Sequence, residues 1–273
     1  MQPSRRLQRY LKMPQPPSSL QTREELLRGQ IEDEFRSLCK HVGRHGIIGF
    51  SPLEDTKLIP VQSEYLARKL NGLGQRSKIA VISIGLLYKE QEILAIPTGW
   101  VGRPPEDGSW NQYARAYTEL NHTLNGKSSQ MAEKFGGVAE QATKEGLAIE
   151  AGHVTEYFPV TVSHRAFAET AKLGWRGRHS LIVTPEAGPA LRFATVFVPE
   201  RLGRVNRDLS GCGACDACVQ VCPILREAGL HSKDYRETCR LRIKALDLED
   251  EVCGICVRAC WEAVRTSKMR EPA

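Results

Sequence analysis

The chain has 273 residues, of which 41% are hydrophobic and 26% charged. That suits one domain with a substantial core plus a small module, and it excludes a chain too polar to fold. The formal net charge of +6 is too mild to argue by itself for a nucleic-acid partner.

Residues 1–21 read as a flexible, basic, Pro-rich tail. Arg5, Arg6, Arg9 and Lys12 precede Pro14, Pro16 and Pro17 with no apolar run behind them, so no signal peptide is expected. No window approaches 18 consecutive apolar residues, so no membrane span is expected either. The reading places the chain in the cytoplasm, where thiols stay reduced and favour metal ligation over disulfides.

Thr22-Arg23-Glu24-Glu25 has the form of a capping box. Leu26, Leu27, Ile31, Phe35 and Leu38 then fall on one helical face, predicting a helix over 23–42. A short strand is expected over 47–50 and a helix over 62–71. The run 79–87 is apolar on both faces and reads as a central strand. Residues 97–110, rich in Pro and Gly, read as a loop. Helices are expected over 111–124, 128–146 and 163–172, and strands over 180–184 and 191–198. Helices and strands that intermix in this way predict a layered α/β (α+β) domain with a mixed sheet over 22–202. Gly136-Gly137 lacks the spacing of a dinucleotide loop.

Composition changes after residue 202. Eight of the nine cysteines lie between 212 and 260, predicting a small ferredoxin-like module over 203–262 and a tail over 263–273. Cys212, Cys215, Cys218 and Cys222 precede Pro223 in the pattern C-x2-C-x2-C-x3-C-P, the bacterial ferredoxin spacing. Three closely spaced thiolates wrap one cube, each on a different iron, and the fourth points to the other cube. Cys239, Cys253, Cys256 and Cys260 form the second half. The expected ligand sets are Cys212, Cys215, Cys218 and Cys260 on one [4Fe–4S] cluster, and Cys222, Cys239, Cys253 and Cys256 on the other. Two clusters with all-thiolate ligands would subtract four charges and leave about +2. Two zinc sites of four cysteines each are the alternative use of eight cysteines. Cys39 sits in the apolar phase of the first helix and reads as a buried small residue.

The segment Leu173-Gly174-Trp175-Arg176-Gly177-Arg178-His179, followed by the cysteine run, resembles the epoxyqueuosine reductase family. Upstream, Arg76-Ser77-Lys78 before the central strand, Tyr88 after it, and Tyr113-Ala114-Arg115 with His122 are similar to family segments. The resemblance spans roughly residues 40–260. It implies a cobalamin between the sheet and the cluster module, held near Trp175, Gly177, Arg178 and His179. It also implies reduction of a modified tRNA base, with electrons drawn from a ferredoxin or flavodoxin. The chain departs from the family pattern at several positions. Phe158 stands where the family carries a proton-donating Asp, which leaves Glu156 or Tyr157 as replacements. Arg178 stands for a Lys, and Trp261 for a Pro. The link from Cys239 to Cys253 is short. Two further readings stay open: an electron carrier or partner subunit without a corrinoid, and a relative of the reductive dehalogenases. His153 and His164 read as surface or hydrogen-bonded structural histidines.

Overall fold

The computed structural model describes residues 22–142, 151–209, 211–227 and 235–268. The expected N-terminal tail, the 143–146 end of one expected helix and the last five residues lie outside the described residues; the start of the expected 263–273 tail is not a tail, because the last helix runs through it to Lys268.

Helix α1 (Arg23–Val42) begins at the capping box: the Thr22 hydroxyl accepts from the Glu25 N–H, and the Glu25 carboxylate accepts from the Thr22 N–H at 2.8 Å. It ends where Gly43 turns left-handed at φ +62°. Ile31, Phe35 and Leu38 are buried, whereas Leu26 is half exposed and lies off the buried stripe.

Strands β1 (Gly46–Pro52), β2 (Ala80–Leu87), β3 (Val138–Glu140) and β6 (Leu191–Val198) form one sheet in the order β1-β2-β6-β3. Every described pairing is antiparallel, so the sheet is not the mixed one expected from the sequence. β2 is central and buried along nearly its whole length. Ala80, Ile82, Ile84 and Leu86 face α1 and helix α4 (Asn111–Lys134) in the main core. Val81 faces Leu66 of helix α2 (Pro60–Lys69) and Phe167 of helix α5 (His164–Thr170) in a second core. This alternation is the period-two geometry of a strand covered on both faces.

Several elements differ from the sequence reading. α4 is a single helix rather than two, because Gly126 sits inside it without breaking it. It stops before Gly136, whose φ is +64°, and gives way to β3, so no helix occupies 138–140. A one-turn helix α3 (Glu90–Leu94) follows β2. The expected strand near 180–184 is β5 (Ile182–Val183), which pairs only with β4 (Trp175–Arg176) in a separate ribbon.

The cysteine-bearing segment holds helices α6 (Ala217–Val221), α7 (Pro223–Glu227), α8 (Tyr235–Leu246) and α9 (Ile255–Lys268). Leu246, Val252, Ile255 and Val257 enter the same main core as the sheet. Trp110, fully buried, donates its indole N–H to the Cys253 carbonyl at 2.7 Å. Arg258 donates to the Leu94 and Ile96 carbonyls. These contacts hold the segment firmly against α3 and α4.

Candidate functional site

The cysteines are placed by local geometry that the sequence dictates. Gly211 and Gly213 have φ of +74° and +51°, and they let the first loop fold back so that the Cys215 N–H reaches the Cys212 carbonyl at 2.9 Å. Cys218 then rides on α6, and Pro223 opens α7 where a missing N–H costs nothing. Cys256 and Cys260 lie one turn apart on α9 and so share a helix face.

Mutual electrostatics show which thiols are neighbours. Burial first, and then Cys212 and Cys215, push the Cys218 thiol up to about 11. Burial pushes Cys260 up to about 12, reinforced by Cys218, Cys212 and Cys215. Cys239 also rises to about 12 through burial and then Cys253 and Cys222. Cys256 is raised by burial and by Cys239, Cys253 and Cys222, and it senses Cys218 as well. The two groups therefore adjoin. Among the described residues, no three His, Cys, Asp or Glu side chains converge as ligands of a single metal ion do. Thiolates around a cube each meet a different iron and stand apart from one another. Cys218 and Cys260 are buried, Cys215 is exposed and the other five cysteines of the segment are half-buried.

The Gly174–His179 segment wraps the first quartet. Trp175 donates its indole N–H to the Cys212 sulfur at 3.3 Å. The Arg178 guanidinium donates to the carbonyls of Cys215, at 2.9 Å, and Gly213, at 3.0 Å. The His179 backbone hydrogen-bonds the Cys218 thiol and favours its charged form. Only glycine fits at 177, where a Cβ would lie 2.7 Å from Val183 and 2.8 Å from the His179 ring. Trp175, Val183, Leu225 and Val264 complete an apolar shell around Cys218 and Cys260. Trp175 and Arg178 thus touch the cysteine loop itself. The His179 ring is buried, accepts from the Leu181 N–H at 3.1 Å, and is lowered to about 4 by burial and by Arg165.

A cavity of about 340 Å³ lies beside the sheet, with Leu191, Arg192 and Phe193 on one wall and Val257, next to Cys256 in the chain, on another. Its wall includes Tyr88, Tyr113, Tyr157, Phe158, Arg165, Arg192, Arg236 and Val257. Tyr113 carries the electrostatic influence of Cys256 and Cys253, which marks how close the second quartet comes. Tyr157 lines the cavity with its hydroxyl buried and without a hydrogen-bond partner. Burial pushes this phenol up to about 12, partly offset by Arg240. Glu156 does not line the cavity; its carboxylate accepts from the Gly152 N–H at 3.0 Å. Phe158 stacks under the Arg236 guanidinium at 5.3 Å.

The remaining histidines fall to structural or surface positions. His164 is buried, donates from Nε2 to the Gln141 carbonyl at 2.6 Å and accepts at Nδ1 from Thr195 at 2.8 Å. His122 is exposed, and His153 caps its own turn through Thr155. Cys39 packs at the edge of the main core under Gly46. Sequence reasoning missed Arg192 and Arg236. The signal available was a lone arginine inside the apolar strand 191–198, which no burial pattern explains.

No family model matches the chain. Fold and site together define a layered α/β protein with an eight-cysteine helical segment that shares the core of its sheet. An epoxyqueuosine reductase of Alicycliphilus denitrificans is 25% identical over 146 residues, covering 51% of this chain and 38% of that protein. The epoxyqueuosine reductase of Escherichia coli K12 is 36% identical over 90 residues, covering 33% of this chain and 23% of that protein. The matched region therefore spans about a quarter to two fifths of these curated relatives' length. Among solved structures, the epoxyqueuosine reductase of Streptococcus thermophilus superposes with a TM-score of 0.46 at 16% identity, covering 85% of this chain and 65% of that one. Over the matched region the chain is similar to the epoxyqueuosine reductases.

Proposed function

We propose that this chain is an iron–sulfur oxidoreductase that passes single electrons through two [4Fe–4S] clusters toward a small molecule in the adjoining cavity. The observation that carries this reading is the grouping of eight cysteines into two adjoining quartets, the second of which acts electrostatically on Tyr113 in the cavity wall. Cys212, Cys215, Cys218 and Cys260 would hold one cluster, and Cys222, Cys239, Cys253 and Cys256 the other. Such clusters supply one-electron transfer at potentials set by hydrogen bonds to sulfur and by exposure.

The chain's own residues do the rest. The N–H groups of Trp175 and His179 point at the sulfurs of the first quartet. Arg178 pins the first loop through two carbonyls. Cys215 is exposed, which favours the first quartet as the place where a ferredoxin or flavodoxin donor docks. Tyr157 keeps its proton at neutral pH and presents it to the cavity where the family's Asp is replaced by Phe158. The cytoplasm supports such a protein, because its thiols stay reduced there. Among the described residues, no helix is long and apolar enough to cross a membrane.

The resemblance also implies cobalamin and a tRNA substrate. The cavity lies near the lower end of the volumes of small-molecule sites. The cavity is half open and its volume of about 340 Å³ is smaller than a whole corrinoid, so we assign the corrinoid no step. A carrier subunit without a ligand of its own would have no use for a cavity beside the second quartet, and this favours the oxidoreductase. RNA binding is tested by titrating the holoprotein with a tRNA anticodon stem loop.

Anaerobic reconstitution of the full chain, followed by metal and sulfide analysis, tests the proposal. About eight irons and eight sulfides per chain are expected, falling by about half in Cys218→Ala and in Cys253→Ala. Stoichiometric zinc without sulfide would overturn it.

A further inference from the structure

Three guanidiniums line the cavity, those of Arg165, Arg192 and Arg236, and no Asp or Glu is among its described lining residues. The carboxylates nearby are engaged elsewhere. Glu169 pairs with Arg176 at 2.8 Å, Glu140 with Lys69 at 2.5 Å and Glu237 with Arg240 at 2.5 Å. Arg165 donates to the Ser180 carbonyl at 2.6 Å and to the Ser163 hydroxyl at 3.3 Å. Arg192 donates from Nε to the Asn121 side chain at 2.9 Å and lies over the Tyr117 ring at 4.2 Å. Arg236 contacts the Phe158 ring. These contacts orient the three heads, and among the described residues none of the three forms an ion pair; Asp250 acts on Arg192 and Glu169 on Arg165 at longer range.

The terminal nitrogens of Arg192 and Arg236 thus face the cavity's surroundings with no hydrogen-bond acceptor among the described residues. The buried Tyr157 hydroxyl is another donor without a partner. Half-buried cations outside any ion pair are costly, and a fold keeps them where a ligand supplies the charge. Burial, and then the like charges of Arg236 and Arg176, lower Arg165 to about 10, which still leaves it cationic at neutral pH.

We infer that this cavity binds a small molecule through a carboxylate or phosphate group, held by Arg165, Arg192 and Arg236 with Tyr157 as an added donor. Planar guanidinium forks match the paired oxygens of both groups. A volume of about 340 Å³ suits a small metabolite. That this molecule is the electron acceptor rests on the functional reading above; that an oxyanion binds there does not.

Isothermal titration of anaerobically prepared full-length protein tests the inference, with inorganic phosphate and succinate as separate probes at fixed ionic strength. At least one probe is expected to bind saturably at one per chain. Binding by phosphate alone would assign a phosphate-bearing ligand, and binding by succinate alone a carboxylate. Arg236→Gln and Arg192→Gln should each weaken binding by about tenfold or more. Arg115→Gln, which removes only the surface pair with Glu249, should bind as the parent does. Circular dichroism confirms that each variant is folded. Failure of both probes, or parental affinity in both cavity variants, overturns the inference. Iron analysis of the same samples reads the cluster proposal separately. Iron-loaded protein that binds neither probe sinks this inference alone, and protein that lacks iron yet binds a probe sinks only the cluster reading.

Discussion

Replacing Gly254 by Ala strikes the turn between Cys253 and Cys256 at its tightest point. Gly254 has φ +80°, and a methyl there would stand 2.6 Å from Tyr113 Cε1 and 2.8 Å from Ile96 Cδ1. The left-handed backbone costs an alanine about 1–2 kcal/mol. Tyr113 and Ile96 are both buried and have no room to retreat, so overpacking adds about 1–3 kcal/mol. The expected loss is therefore about 2–5 kcal/mol. Gly72→Ala is the control, with φ +90° and nothing within 4 Å of the new methyl. It should lose the backbone part alone, about 1–2 kcal/mol. Anaerobic urea denaturation measures both, and iron analysis of Gly254→Ala should show the second quartet emptied first. Equal losses in the two variants would refute the packing argument, and an unchanged midpoint in Gly254→Ala would refute the placement of the turn.

Trp175→Phe removes one N–H donor from the Cys212 sulfur while keeping an aromatic ring. If that bond favours the reduced cluster by about 1 kcal/mol, the midpoint potential should fall by roughly 40 mV for one electron, as read by redox titration monitored by electron paramagnetic resonance; an unchanged potential would remove Trp175 from that role. His164 is lowered from 6.5 to about 4, by burial first. As pH falls the unfolded chain takes up this proton before the folded one, so stability is full above about pH 6.5 and is lost between there and about pH 4. The loss attributable to His164 approaches about 3 kcal/mol, and His164→Gln should show a flatter profile than the parent across that window. Hydroxocobalamin added to the reconstituted protein should leave its visible spectrum the simple sum of the two components; a saturable shift at one corrinoid per chain would show that the cavity opens to admit the ring.

Much of the fold could be read from local chemistry. The capping box and the glycine that follows the helix bound α1 at both ends, and the unbroken apolar run marked β2 as central. The reading failed where tertiary contacts outvote propensity. Gly126 suggested a break, but buried Leu120, Leu124 and Met131 on either side keep α4 continuous against the sheet. β3 is only three residues long, and its close approach to β6 is permitted by Gly137, whose Cβ would lie 2.2 Å from the Phe197 carbonyl. No periodicity announces so short a strand. The cysteine spacing could be read because ligand geometry is written into consecutive residues. The cationic cavity could not, since Arg165, Arg192 and Arg236 come from a helix, a strand and another helix that meet only in the folded chain. The tryptophan and arginine near the first quartet were visible as a motif, but their contact with the cysteine loop needed coordinates.

Electron paramagnetic resonance of the dithionite-reduced, iron-reconstituted protein probes the adjoining quartets most directly. Two cubes held as closely as these cysteines require should give a broadened spectrum of two interacting paramagnets, and Cys260→Ala should simplify it to one. A parent spectrum from a single isolated centre, or none with zinc bound instead, would contradict the account.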